Sequence, residues 1–130
     1  MTRDDLPEVI NLADKLGRFA DAWNPRIIGQ LNGQDIRLAR LEGPFIWHAH
    51  EREDEAFLVL EGSLRMELRD DAGTETARTL VPGELIIVPR GLEHRPVATP
   101  TCSVLLFEPT STLNTGTAGG ERTRAELDRI

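Results

Sequence analysis

The chain has 130 residues, 39% of them hydrophobic and 28% charged, which suits a single globular domain with one hydrophobic core. A net charge of −7 and a pI near 4.9, with acids close to each arginine, argue against a nucleic-acid partner. No apolar run approaches the ~20 residues that cross a bilayer, and Met1 to Asp5 lead into no signal-peptide core, so the expected location is cytoplasmic.

Residues 1–25 read as an N-terminal arm. Residues 6–12 form an extended lead-in, and Leu12, Leu16, Phe19, Ala20 and Trp23 repeat at a weak helical period. Asn24-Pro25 ends that pattern. The arm is assigned to packing or to contact with a second copy rather than to a site. From residue 26 the pattern changes to short apolar runs broken by turns. The predicted strands are 26–31, 34–41, 45–50, 55–60, 63–69, 76–81, 84–88, 94–99 and 102–108. Asn32-Gly33 marks a tight primed hairpin, and Glu42-Gly43-Pro44, Glu61-Gly62, Pro82-Gly83, Pro89-Arg90-Gly91 and Thr99-Pro100-Thr101 are read as breaks. Roughly nine short strands without a long helix predict an antiparallel sandwich or barrel over residues 26–109. Residues 110–130 form a tail: 110–120 is Thr/Gly/Ser-rich coil, and 122–130 is an extension or a strand added to a partner.

Cys102 is the one cysteine, so no internal disulfide framework exists, and its run Cys102-Ser103-Val104-Leu105-Leu106-Phe107 makes it a buried core residue.

All three histidines fall between Trp47 and Ala98. His48 and His50, at i and i+2, share one face of a strand, so their rings can reach one ion. Glu55 is an acid at the mouth of the apolar run Ala56-Phe57-Leu58-Val59-Leu60, where bare burial would be costly. His94, after a further strand and turn, can complete the set across the sheet. Three imidazoles and a carboxylate suit a first-row divalent metal with open positions.

His48-x-His50-x4-Glu55-x6-Gly62 and Gly83-x5-Pro89-x-Gly91-x2-His94 resemble the two motifs of the cupin superfamily. Two departures stand out: Gly43 lies five residues before His48 where the motif has six, and Ala98 replaces an asparagine that often ends the second motif. Leu113-Asn114-Thr115-Gly116 is similar to the tail of small single-domain bacterial cupins. The resemblance implies an all-β cupin double-stranded β-helix, or jelly-roll barrel. It also implies His48, His50, Glu55 and His94 as ligands of one divalent transition metal, with iron, manganese, nickel, zinc and copper all compatible. A homodimer is the expected assembly, from the resemblance and from otherwise open strand edges.

Arg40 is a candidate to bind a substrate carboxylate, and Phe45, Phe57 and Phe107 are candidate pocket walls. Trp47, out of phase with the histidines, should face away from the metal. The chain has no tyrosine, which disfavours cupin lyases that use a phenol as base; Glu55, a metal-bound water or rim acids such as Glu53 remain.

Three functions compete. The first is a metalloenzyme of isomerase or dioxygenase type acting on a small polar molecule, which a pocket lined by fixed polar groups would favour. The second is a non-catalytic module that binds or senses a small molecule, which an apolar pocket would favour. The third is a structural interaction domain, which a filled barrel would favour.

Overall fold

The computed structural model describes residues 2–130. Its strands are β1 (Arg26–Leu31), β2 (Gln34–Pro44), β3 (Glu55–Arg69), β4 (Glu75–Leu80), β5 (Leu85–Val88) and β6 (Glu93–Pro109). They pair antiparallel in the order β1-β2-β6-β3-β4, and β5 pairs with β3 as well. Local chemistry explains several joints. Asn32 and Gly33 both take positive φ, 52° and 77°, as a primed two-residue turn requires.

The largest difference from the sequence pattern lies in the two long strands. Residues 55–60 and 63–69 are one strand, β3, and residues 94–99 and 102–108 are one strand, β6. The predicted breaks at Glu61-Gly62 and Thr99-Pro100-Thr101 bend these strands instead of ending them. The β3–β6 register slips between Val59 and Glu61 and again between Gly62 and Leu64, and paired bulges increase local bending and twist. Gly62 has φ +79°, and a Cβ there would overlap the Thr101 carbonyl oxygen. The bend therefore needs glycine.

Three further expectations are corrected. Residues 45–50 form no continuous strand; they run beside β6 with one antiparallel bridge, His48↔His94, and a bond from the Phe45 amide to the Pro96 carbonyl. Glu42-Gly43-Pro44 is no break, since β2 runs through it. The predicted helix over 12–23 is a single turn, α1 (Leu12–Leu16), capped by Asn11 and followed by Gly17. Beyond it the Arg40 guanidinium draws the Leu16 and Phe19 carbonyls (2.6 and 2.9 Å), so the chain leaves the helical path. Leu16 and Phe19 then pack with Ile28 and Leu38 on the outer face of β1 and β2.

The chain's end pairs with its own sheet. Ile27 donates to Asp128 and accepts from Ile130 along a parallel bridge to Arg129. The main core lies inside the bent sheet, where Val59, Leu64, Met66 and Val104 are fully buried. Cys102 belongs to that core, and burial pushes its thiol up to about 11.

Candidate metal centre

The bend in β3 and β6 brings together residues that the register alone keeps apart. Glu55 opens β3 and His94 lies near the start of β6, paired with Leu68 at the far end of β3. Folding of the sheet nevertheless places His94 Nε2 3.5 Å from Glu55 Oε1. His48 joins through its backbone bridge to His94, and His50 Nε2 lies 3.4 Å from the same Glu55 oxygen. One ligand atom from each of His48, His50, Glu55 and His94 lies within 4.8 Å of every other, and all four residues are buried.

Ring orientation follows from the backbone. The Nδ1 atoms of His48 and His94 lie 3.0 Å from the carbonyls of Ile46 and Leu92, each two residues earlier. A proton on Nδ1 makes that bond and leaves the Nε2 lone pair for an ion. His50 Nε2, His94 Nε2 and Glu55 Oε1 are buried without a hydrogen-bond partner. Unpartnered buried polar atoms are costly, and one cation among them would satisfy all three. The donor set therefore fits a divalent metal.

Electrostatics agree with a neutral His48 imidazole and an ionised Glu55 carboxylate. Burial, reinforced by the neighbouring His94, lowers the His48 ring to about 4. Burial works to raise the Glu55 carboxyl, but its polar neighbours Glu108, His50 and His94 outweigh it and hold Glu55 well below the usual range.

Above the cluster lies a cavity of about 40 Å³ whose walls are mostly apolar. Phe45 and Phe57 line it as the sequence suggests, beside Leu41 and Leu106. Phe45 stacks on Trp23 (centroids 4.6 Å) and makes a T-shaped contact with the His48 ring. The structure does not bring Arg40 or Phe107 to this cavity. On β2, Ala39 and Leu41 line it while Arg40, between them, points to the opposite face and holds the α1 end. On β6, Leu106 and Glu108 line it and Phe107 alternates outward. Trp47 lies outside under the guanidinium of Arg69, 4.2 Å from its ring centroid. Glu53 stands on the exposed rim, bonded by Ser111.

Sequence reading missed contributors from three places, the arm, the tail and the end of β6. Trp23 and Pro25, from the arm assigned to packing, form cavity wall. Asn114, from the presumed coil, does too; its side chain bridges the Arg122 carbonyl and the Arg124 amide. The tail is held over the site by Thr117, whose amide bonds the Ala49 carbonyl, and by Gly116, where a Cβ would overlap that same carbonyl. Glu108 stands at the third. It is 1% exposed and lines the cavity, and the one available signal was an acid ending an apolar strand.

A bent antiparallel barrel with three imidazoles and a carboxylate at one end is the architecture of a cupin. The Cupin domain family model matches residues 37–107, and the chain belongs to that family. Uncharacterized protein YdbB of Bacillus subtilis is 38% identical over 68 residues, covering 52% of this chain and 57% of that protein. Germin-like protein 1 of Brassica napus is 32% identical over 100 residues, covering 69% of this chain and 48% of that protein. The chain thus spans about half the length of these curated relatives. Among solved structures, a cupin-2 domain containing protein from Shewanella frigidimarina matches at TM-score 0.72 and 40% identity, covering 78% of this chain and 94% of that one. Hydroquinone 1,2-dioxygenase PnpCD shares the fold at TM-score 0.62 and 21% identity, covering 74% of this chain and 69% of that one.

Proposed function

We propose that His48, His50, Glu55 and His94 hold one divalent transition metal and that the chain is a metalloenzyme of isomerase or dioxygenase type acting on a small organic molecule. The observation that carries this reading is the convergence of three buried, unpartnered ligand atoms from His50, Glu55 and His94. When bound, such an ion polarises a carbonyl or hydroxyl oxygen or supplies an open position for a second reactant. The chain's own residues do the rest. The Ile46 and Leu92 carbonyls orient two imidazoles, while Phe45, Phe57 and Trp23 exclude water and confine the ligand. A cavity this small admits a compact molecule, with an apolar body against the aromatic walls and an oxygen function toward the cluster.

The mostly apolar walls favour a second reading, a binding or sensing module without turnover. Metal analysis of untagged wild type and His50→Ala tests the first step. About one metal per chain, lost in the variant, is expected; a wild type that takes up no ion after reloading overturns the reading. Iron then directs oxygen-uptake assays and zinc or manganese directs isomerase assays. Tight ligand binding without turnover in either would favour the module.

A further inference from the structure

The three imidazoles are not held alike. The terminal torsion of a histidine is broad and nearly two-fold, so ring orientation needs a constraint from outside the side chain. His48 and His94 take theirs from the carbonyls of Ile46 and Leu92, two residues earlier. For His50 the equivalent carbonyl is that of His48, and it is bonded instead by the His94 amide at 2.8 Å. His50 Nδ1 is buried with no hydrogen-bond partner among the described residues. What lies against that edge of the ring is the tail. A Cβ on Gly116 would stand 3.2 Å from His50 Nδ1 and would overlap the Ala49 carbonyl oxygen. The Thr117 amide bonds that same carbonyl at 3.0 Å, and the Gly91 amide bonds the His50 carbonyl at 2.8 Å, so the backbone around His50 is gripped from both sides. The tail turn is itself fixed. The Gly116 amide bonds the Leu113 carbonyl at 3.0 Å, Gly116 has φ +55°, and Thr115 is fully buried with its hydroxyl on that of Thr123.

We propose that Gly116, in the turn over residues 113–117, is a positioning residue for His50. Its bare backbone does by packing what a carbonyl does by hydrogen bonding for the other two imidazoles, and it keeps His50 Nε2 beside Glu55 Oε1, 3.4 Å away. This role rests on the metal reading above and gives a use to the one sequence motif that reading leaves aside, Leu113-Asn114-Thr115-Gly116. Asn114 stands on the cavity wall and Gly116 against His50, so a single turn reaches both the cavity and a ligand. Glycine is needed twice over, for the positive φ and for the close approach to Ala49. Loss of an outer group that orients a metal ligand weakens metal affinity about 10- to 100-fold. The competing role is structural, a tail that only covers the end of the barrel.

Cobalt(II) separates the two, and Gly119 supplies the control. Gly119 is a second tail glycine at positive φ (+63°), and apart from its chain neighbours no atom of the described residues lies within 4 Å of where its Cβ would stand. Alanine at either glycine strains the backbone, but at 116 it also presses on Ala49 and His50. Affinity by chelator competition and the visible d–d spectrum are measured for wild type, Gly116→Ala and Gly119→Ala, with melting of the metal-free forms alongside. Gly116→Ala should bind about 10- to 100-fold more weakly with an altered spectrum. Gly119→Ala should stay within about threefold of wild type and keep its spectrum, even where its melting temperature falls. If Gly116→Ala does not fold, Thr115→Ala takes its place. It removes the hydroxyl contact with Thr123 and loosens the same turn, so affinity should fall by more than about threefold. A folded variant of this turn with wild-type affinity and spectrum overturns the positioning role while leaving the metal reading intact. So do equal losses in Gly116→Ala and Gly119→Ala, which trace the effect to backbone strain. A wild type that takes no cobalt overturns the metal reading, and this one with it.

Discussion

The same two strands build a filled core at one place and a polar centre at another. Around the bend, Val59, Leu64 and Val104 are fully buried among apolar neighbours. At the strand ends Glu55, His94 and Glu108 are just as buried, yet each carries a polar atom without a hydrogen-bond partner. The bend is optimised for packing. The ends bury polar groups that packing alone would not favour, the pattern of a site where function overrides local stability.

The comparison breaks most completely at the joint between the two regions. Gly62→Val adds a branched side chain at a positive φ and against the Thr101 carbonyl. It should cost about 4 kcal/mol and lower both the urea midpoint and the metal content, because the bend creates core and site together. Leu64→Ala touches the packed region alone. A loss of about 3 kcal/mol in urea unfolding is expected, with metal stoichiometry unchanged in the folded protein. Metal loss equal to that of His50→Ala would show that the two regions are not separable.

Acid acts on the site end. His48 titrates near 4 when folded against an ordinary value of 6.5, so between these values the unfolded chain binds a proton that the folded chain refuses. Stability of the metal-free protein should therefore fall as pH drops from about 6.5 to about 4, by up to roughly 3 kcal/mol. His48→Gln should flatten that stretch of a pH–stability curve; an unchanged slope would remove His48 as its source. The smallest effect is expected at the tail. Asn114→Ala removes two backbone contacts that shape the cavity wall. It should cost about 1 kcal/mol and speed hydrogen exchange at the Thr117 amide, while leaving exchange at Val59 and Val104 unchanged.

Much of the site was legible along the chain because its ligands fall in two short motifs with fixed spacing. His48 and His50 need only local backbone to share a face, and Glu55 announces itself as an acid entering an apolar run. Cavity walls are harder. Phe57 follows from alternation with Glu55 in its strand, whereas Phe45, in phase with Trp47, reaches the cavity because residues 45–50 form no continuous strand, and Trp23 reaches it because the Trp23 amide bonds the Arg40 carbonyl. Arg40 looked available for a ligand because nothing local shows that two carbonyls of α1 and the chain beyond it would occupy its guanidinium.

By itself the sequence determined the all-β class, the hairpin at Asn32-Gly33 and the four residues that converge at the candidate metal centre. These depend on short-range periodicity and on turns whose backbone angles few residues tolerate. Tertiary structure alone decided that the breaks at 61–62 and 99–101 are bends in continuous strands, that the tail covers the site, and that Arg37 and Glu108 meet in the interior (2.9 Å between Nη1 and Oε1) although 71 positions separate them in sequence. Charge pairing and burial at that separation depend on how the sheet closes, and closure is a property of the whole chain.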